Sequence, residues 1–393
     1  MADTGLRILM LAPTPYFSDR GCHVRIYEEA HALCALGHDV RIITYHLGRD
    51  MPGIPVIRIP RIPWYSKHEA GPSLHKLYLD LLLFFKAAQT IPDFRPDVIH
   101  AHLHEGAFIG LLLRKLCGVP LLFDYQGSLT GECVDHGFFD ASSLSARLFR
   151  RIELKINRSA DRIITSSGAG ASSLIEEWGI EPRTVTPLID GVDTDIFCAG
   201  SQAEARAALG IASDVPVVAY LGLMNRYQGT DLLLESIEIV QSKGIKALFL
   251  IMGFPDQHYR EATEARRLSD MIRFTGKVNY ADAPLMLSAA DLAVAPKLSP
   301  TEANGKIFNY MACGLPVVAF DTAVNREILG DAGVYADFGD AADFAAKIMQ
   351  LLGDHALRSN LSAQVRSKAL LEHSWRSRAE KLAGIYRSMI CRH

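Results

Sequence analysis

The stretch Asp291–Thr322, DLAVAPKLSPTEANGKIFNYMACGLPVVAFDT, admits very few folds. It opens on an apolar run, Leu292–Pro296, short and branched enough for a buried strand. A polar, turn-prone segment Lys297–Gly305 follows, and then a helical pattern over Lys306–Cys313 that Gly314 and Pro316 terminate. Val317–Phe320 is a second buried strand. Strand, polar loop, helix, strand is one turn of a parallel sheet. Ligands of such sheets sit beyond the carboxyl ends of the strands, beside a helix N-terminus. The loop Ser299–Lys306, with Asn304 and Gly305 in it, is therefore the first candidate for binding a phosphate or sugar, and Lys297 and Lys306 flank it as cations.

The same alternation runs through the chain. In the first half, Leu6–Ala12 is a continuous apolar strand, Val24–Leu36 a helix, and Val40–Thr44 a strand. Ile54–Trp64 carries three prolines and reads as an edge strand or loop. Further strands fall at Asp97–His104, Pro120–Gly127 and Ala160–Ser167. A new series begins at Val215–Leu221, and the segment Cys198–Asp214 before it, poor in apolar residues, is where the hinge is placed. Two α/β halves follow: residues 1–197 and residues 198–374, with a last helix in 375–393.

The chain has 393 residues, 49% hydrophobic and 22% charged, enough for two cores. A net charge of −3 argues against a nucleic-acid binder held by phosphate contacts. The apolar run after Met1 is cut by Pro13, and no apolar stretch reaches the roughly 18–20 residues needed to span a bilayer. Seven scattered cysteines without a CxxC pair suit a reducing cytoplasm. His100, His102 and His104 alternate at a strand end and would share one side of a continued strand, but their spacing matches no common zinc signature. Two amphipathic stretches are basic: Ser73–Ala88 near Lys76 and Lys86, and Ser142–Arg162 with Arg147, Arg150, Arg151, Lys155, Arg158 and Arg162. Each can lie on an anionic membrane surface or pack on the sheet with its charges solvated.

Taken together these segments resemble the retaining glycosyltransferases of family 4, which have the GT-B fold. The likeness extends over nearly the whole chain. It rests on Gly21 in a loop before a helix, on Gly37-His38-Asp39-Val40, on His100-Ala101-His102, on Gly191-Val192-Asp193 followed by Phe197, with Asp190 in place of the usual Asn, and on the Ala312-Cys313-Gly314 helix end. The resemblance implies two Rossmann-like, doubly wound parallel-sheet domains facing each other across a cleft, with the last helix packed back on the first. It implies a nucleotide-sugar donor, a glycan, lipid-linked or small-molecule acceptor, and no metal or other cofactor. His102 takes the position of a histidine near the donor sugar and acceptor. Gln126-Gly127 stands where relatives have His-Gly, and Glu132, in the polar loop that follows, supplies a carboxylate on the acceptor side. Gly21 is read equally as an anion-binding loop glycine or a plain turn.

The donor motifs depart from the family pattern. In G-R-L-x-x-x-K-G this chain has Gly222, with Leu223 for the Arg, Gln228 for the Lys, and Arg226 between them. In E-x7-E, Asn309 replaces the second Glu and Thr301 the first, with Glu302 one residue along to take its part. Lys306, Arg226, Lys297 and Arg326 are the candidate replacements for the lost cations. A leaving diphosphate needs such charges, because negative charge develops on it. A retaining transferase is thus expected, with a phosphorylase of the same fold or a catalytically silent binding partner of another transferase as the alternatives.

Overall fold

The computed structural model describes residues 5–18, 21–66, 73, 75–135, 138–299 and 304–391. Contacts divide the chain into two compact units, Met1–Ile189 with Trp375–His393, and Asp190–Ser374. The segment Cys198–Asp214 falls inside the second of them.

The first unit runs β1 (Arg7–Ala12), α1 (Gly21–Ala35), β2 (Asp39–Thr44), β3 (Val56–Arg58), α2 (Lys76–Phe94), β4 (Val98–His102), α3 (Leu103–Cys117), β5 (Leu121–Tyr125), α4 (Leu129–Asp135), α5 (Leu144–Asn157), β6 (Arg162–Thr165), α6 (Gly168–Glu176) and β7 (Val185–Pro187). Its seven strands lie in the order β3-β2-β1-β4-β5-β6-β7, all parallel. Parallel strands covered by helices on both sides must be apolar throughout, and β1, β4 and β5 are buried along almost their whole length. Leu9, Leu11, Ile99, Ala101, Leu121 and Phe123 form one side of the core with α2, α3 and α5.

The second unit continues with α7 (Gln202–Leu209), β8 (Val217–Leu223), α8 (Thr230–Ser242), β9 (Leu248–Phe254), α9 (Gln257–Ala265), β10 (Ile272–Phe274), α10 (Ala283–Ser288), β11 (Leu292–Ala295), α11 (Lys306–Ala312), β12 (Val317–Phe320), α12 (Ala323–Leu329), β13 (Val334–Ala336), α13 (Ala341–Gly353) and α14 (His355–Glu372). Its sheet order, β10-β9-β8-β11-β12-β13, repeats the doubly wound arrangement. The last helix, α15 (Trp375–Ile390), packs against α1 of the first unit. In both sheets the strand order reverses beside the first strand, between β1 and β4 and between β8 and β11. A doubly wound sheet opens a crevice at that place.

Several local expectations change. The helix expected from Val24 starts at Gly21, which has no positive φ and whose added Cβ would meet nothing within 4 Å, so the backbone there makes no demand for glycine. The strand holding the three histidines stops at His102. Leu103 turns the chain with φ 62°, and His104 leaves the row to enter α3. The polar loop expected around Glu132 is the helix α4. Glu153 makes it possible by accepting from the N–H groups of Leu129 (3.1 Å) and Thr130 (2.9 Å), the free donors of its first turn. The proposed hinge contains α7, which Arg206 ties down by donating to Asp291 (2.8 Å) and to the carbonyls of Ala289 and Ser213.

The turn after β8 is fixed by one glycine. Gly229 has φ +75°, and a Cβ there would lie 1.8 Å from the Pro296 carbonyl oxygen. Gly229→Ala should therefore cost about 1–3 kcal/mol from the left-handed backbone alone, and more from the clash. A melting temperature equal to that of the wild type would disprove this.

Candidate functional site

Each unit gathers polar groups at its own topological switch. In the second unit, β8 ends on Gly222 and Leu223, and Gly222 has φ +142°. A Cβ at Gly222 would sit 3.0 Å from Lys306 Nζ, so the missing side chain leaves room for the amine. Lys306 opens α11, donates to Gln228 Oε1 at 3.0 Å, and lies 4.4 Å from the centre of the Tyr220 ring. Gln228 is held in turn by Asn225, whose Oδ1 accepts from the Gln228 N–H (2.8 Å) to start a short 3-10 turn over Arg226–Gln228. No carboxylate pairs with Lys306 among the described residues. Burial, and then the neighbouring Lys297, push its pKa down to about 7.

Lys297 is itself buried and lies 5.5 Å from the Tyr227 ring. Asn304 is buried, with no hydrogen-bond partner for its Oδ1 among the described residues and its Nδ2 3.5 Å from Asn325 Oδ1. Gln228, Lys297, Lys306 and Gly222 are thus brought together around the end of β8. Tyr220 and Tyr310 support them: the Leu221 N–H donates to Tyr310 Oη at 2.7 Å, and Tyr220 Oη donates to the Leu223 carbonyl at 2.6 Å.

The other expected donor residues are not part of that contact set. Arg226 is exposed and makes no ion pair among the described residues, although it shares the turn with Gln228. Gly305 is exposed with φ −51°, and Asn309 is half-buried on α11. Arg326 is already engaged, donating to both oxygens of Asp321 at 2.5 and 2.7 Å. Glu302 lies outside the described residues. Asp193 and Asp195 form a turn, in which Asp193 Oδ1 accepts from the Asp195 and Ile196 N–H groups.

In the first unit the centre is Asp124, at the end of β5. Arg25 on α1 grips it with Nε (3.0 Å to Oδ2) and Nη2 (2.8 Å to Oδ1), reaches Glu29 at 3.0 Å, and donates to the Leu188 carbonyl. His102 Nδ1 lies 2.9 Å from Asp124 Oδ2, and Gln126 Nε2 donates to the same oxygen at 2.7 Å. Burial alone would raise the Asp124 pKa, but the Arg25 charge and then His102 hold it well below the usual carboxylate range. Burial keeps His102 neutral, against the pull of Asp124, and His100 more so. A neutral His102 that donates from Nδ1 to the carboxylate turns the lone pair of Nε2 outward from that bond, and Nε2 has no hydrogen-bond partner among the described residues. The side chain is fully buried.

His100 Nδ1 pairs with Tyr386 Oη of α15 at 2.7 Å, whereas His104 faces Glu153 Oε1 at 3.5 Å. Glu29, His100, His102 and Asp124 offer ligand atoms within 4.8 Å of one another, and Arg25 is the cation that sits among the two carboxylates. Glu132 is exposed on α4.

Residues 20–189 match the glycosyl transferase 4-like domain, and residues 215–354 match the glycosyl transferases group 1. The chain belongs to the family 4 glycosyltransferases. It is 28% identical over 389 residues to the D-inositol 3-phosphate glycosyltransferase of Geodermatophilus obscurus, covering 93% of this chain and 84% of the relative. Among solved structures, sucrose-phosphate synthase from Thermosynechococcus elongatus superposes with a TM-score of 0.82 at 19% identity, covering 98% of this chain and 99% of that one. Anabaena HepE, in complex with UDP and glucose, gives 0.78 at 19% identity, covering 98% and 100%. The two parallel sheets are those of the GT-B fold.

In this glycosyltransferase, Arg25, Asp124, Tyr220 and Tyr310 escaped the motif reading. The available signal was chemical: an Asp closing an apolar strand cannot stay buried without a cation, and Arg25 follows the first loop on α1. Lys306 carries a pH signature. Its folded pKa is lowered, so below about pH 7 both folded and unfolded chains hold the proton and the burial penalty is present in full. Between about pH 7 and 10.5 only the unfolded chain holds it, so stability should rise with pH across that window. Denaturant titrations of wild type and Lys306→Met should differ by this slope; parallel curves would contradict the shift.

Proposed function

We propose that this glycosyltransferase moves a sugar from a nucleoside-diphosphate donor to a glycan, lipid-linked or small-molecule acceptor with retention at the anomeric carbon. The observation that carries the reading is Lys306: a half-buried amine whose pKa is lowered to about 7, at the carboxyl end of β8, with an amide and an aromatic ring but no carboxylate beside it among the described residues. A diphosphate would supply the missing anion, and its arrival would restore the proton. HepE, of the same fold, binds UDP and glucose, and we extend that donor class to this chain.

In the proposed step the bond between the anomeric carbon and the phosphate oxygen breaks while the acceptor oxygen bonds to the same face of that carbon. The acceptor's proton passes to the departing phosphate, so no strong general base is needed. Lys306 and Lys297 offset the charge that develops on the leaving group, which is why the reading requires no metal. Gly222 and Gln228 shape the phosphate pocket, Asn304, Gly305 and Asn309 the donor's remaining polar contacts, with Arg226 at its exposed edge. Glu302 is assigned the sugar hydroxyls. His102 accepts a hydroxyl at Nε2, with Gln126 and Glu132 on the acceptor side and Gly21, at the start of α1, on the donor side of the first unit.

No helix among the described residues is long and apolar enough to cross a membrane. We place the protein on the cytoplasmic side of an anionic membrane surface, on the strength of α5. All its exposed charges, Arg147, Arg150, Arg151 and Lys155, are basic.

Melting shifts with UDP, GDP, ADP and their sugars identify the donor, since a ligand at 100 times its Kd adds about 2.7 kcal/mol of stability. Lys306→Ala should weaken the stabilising nucleotide by about tenfold or more while the apo melting temperature stays within a few degrees. Because a bound diphosphate restores the Lys306 proton, wild-type affinity should fall above about pH 7, by about tenfold per pH unit, with proton uptake seen by calorimetry in buffers of different ionisation enthalpy. No shift with any nucleotide would refute the donor assignment.

A further inference from the structure

Three neighbouring helices of the first unit turn large apolar side chains to solvent at one spacing. On α2 they are Leu77, Leu81 and Phe85; on α3, Phe108, Leu112 and Leu116; on α5, Leu144, Leu148 and Ile152. Each set recurs every fourth residue, so each is one stripe along its helix. The opposite sides of the same helices are buried, through Leu79 and Leu83 on α2, Ala107 and Leu113 on α3, and Ala146 and Ile156 on α5. All three helices cover the same side of the sheet, with α3 packed between α2 and α5. Single exposed leucines are ordinary, but adjoining stripes on adjacent helices make a continuous patch.

We infer that the outer faces of α2, α3 and α5 form one surface that inserts into the acyl-chain region of an anionic phospholipid bilayer. This deepens the membrane reading above and rests on it. It changes the nature of the contact from charge attraction alone to apolar insertion flanked by charge. The cations sit where an interface needs them. Arg147, Arg151 and Lys155 border the α5 stripe, and exposed Lys115 lies beside Leu116 on α3. Most acidic residues of these helices are withdrawn: Glu105 pairs with Lys76 at 2.6 Å, Asp80 accepts from Tyr45, and Glu153 is buried, while Asp93 is exposed at the C-terminal end of α2, beyond its apolar stripe. A second copy of the chain is the weaker occupant, because two such faces set together would oppose their arginines. An anionic headgroup layer answers them.

The test uses the full chain with vesicles of phosphatidylcholine alone or mixed with phosphatidylglycerol, at low and at high salt. Wild type should sediment with the mixed vesicles, and a large fraction should stay bound in high salt, which screens only the charges. Leu81→Ser combined with Leu148→Ser should lower the salt-resistant binding by about a hundredfold, roughly tenfold for each inserted side chain removed. Its melting temperature and its stabilisation by nucleotide should match the wild type, since both positions are exposed. Arg147→Ser with Arg151→Ser should weaken capture at low salt and keep the salt-resistant fraction. Complete release of the wild type by salt would overturn the inference and leave a purely electrostatic membrane contact standing. No binding to any vesicle would overturn both. A lipid-free dimer that the Leu81/Leu148 variant dissociates would assign the face to a second copy instead.

Discussion

Taking a charge out of water demands a partner, and both halves of this glycosyltransferase are organised around that constraint. In the first unit the demand is met internally. Asp124 closes a fully buried strand, and the Arg25 guanidinium spans it and Glu29 with two directed bonds to the Asp124 carboxylate. The same guanidinium reaches the Leu188 carbonyl, so one side chain ties α1 to β5 and to the segment just past β7. His102 and Gln126 fill the remaining lone pairs of Asp124, which fixes the tautomer of the histidine as a by-product of satisfying a buried carboxylate. In the second unit the demand is left open. Lys306 has an amide oxygen and a ring face but no carboxylate among the described residues, and burial lowers its pKa to about 7. A closed charge network is rigid, and an open one is a place for a ligand.

The departures from the family's donor motifs take on a different meaning with this geometry. Gln228 stands at the register of a lysine, which reads on paper as a cation lost. In the structure its Oε1 accepts from Lys306, so the amide orients a cation delivered by another element. The cation beside the loop after β8 is supplied by the first turn of α11. Gly222 suits this arrangement, because a Cβ there would crowd the amine at 3.0 Å and the φ of +142° disfavours other residues. Arg226, two positions short in that loop, is exposed and does not take the role by contact.

The fold was legible because its signals are strong and redundant: buried strands written as apolar runs, and helices ended by Gly and Pro. The Asp291–Thr322 unit is found as β11, α11 and β12. The same redundancy carried the family assignment across two matched regions. Local geometry was less legible wherever one residue's conformation or one distant partner decides it. Alternation placed His104 in a row with His100 and His102, and the φ of 62° at Leu103 removes it. The segment at Glu132 reads as a loop until Glu153, far along the chain, caps it. Arg25 and Asp124 lie in no motif and are joined only when α1 and β5 pack. Periodicity reports which face of a helix is apolar, never which distant charge will meet it.

That limit also explains α2. Its sequence is apolar around more than half its circumference, which is too much for one sheet to cover. A helix packed on a sheet buries one stripe, here Leu79, Leu83 and Ala87, and the excess must go elsewhere. In α3 the same excess appears at Phe108, Leu112 and Leu116, and in α5 at Leu144, Leu148 and Ile152. A helix whose only task is to cover a sheet has no use for a second apolar stripe, which lowers solubility without adding to the core. Three helices that share this surplus, side by side and bordered by arginines, behave as one surface. On the proposed reading the surplus points outward to an apolar phase, just as the Lys306 amine, which meets no carboxylate among the described residues, points to an anion.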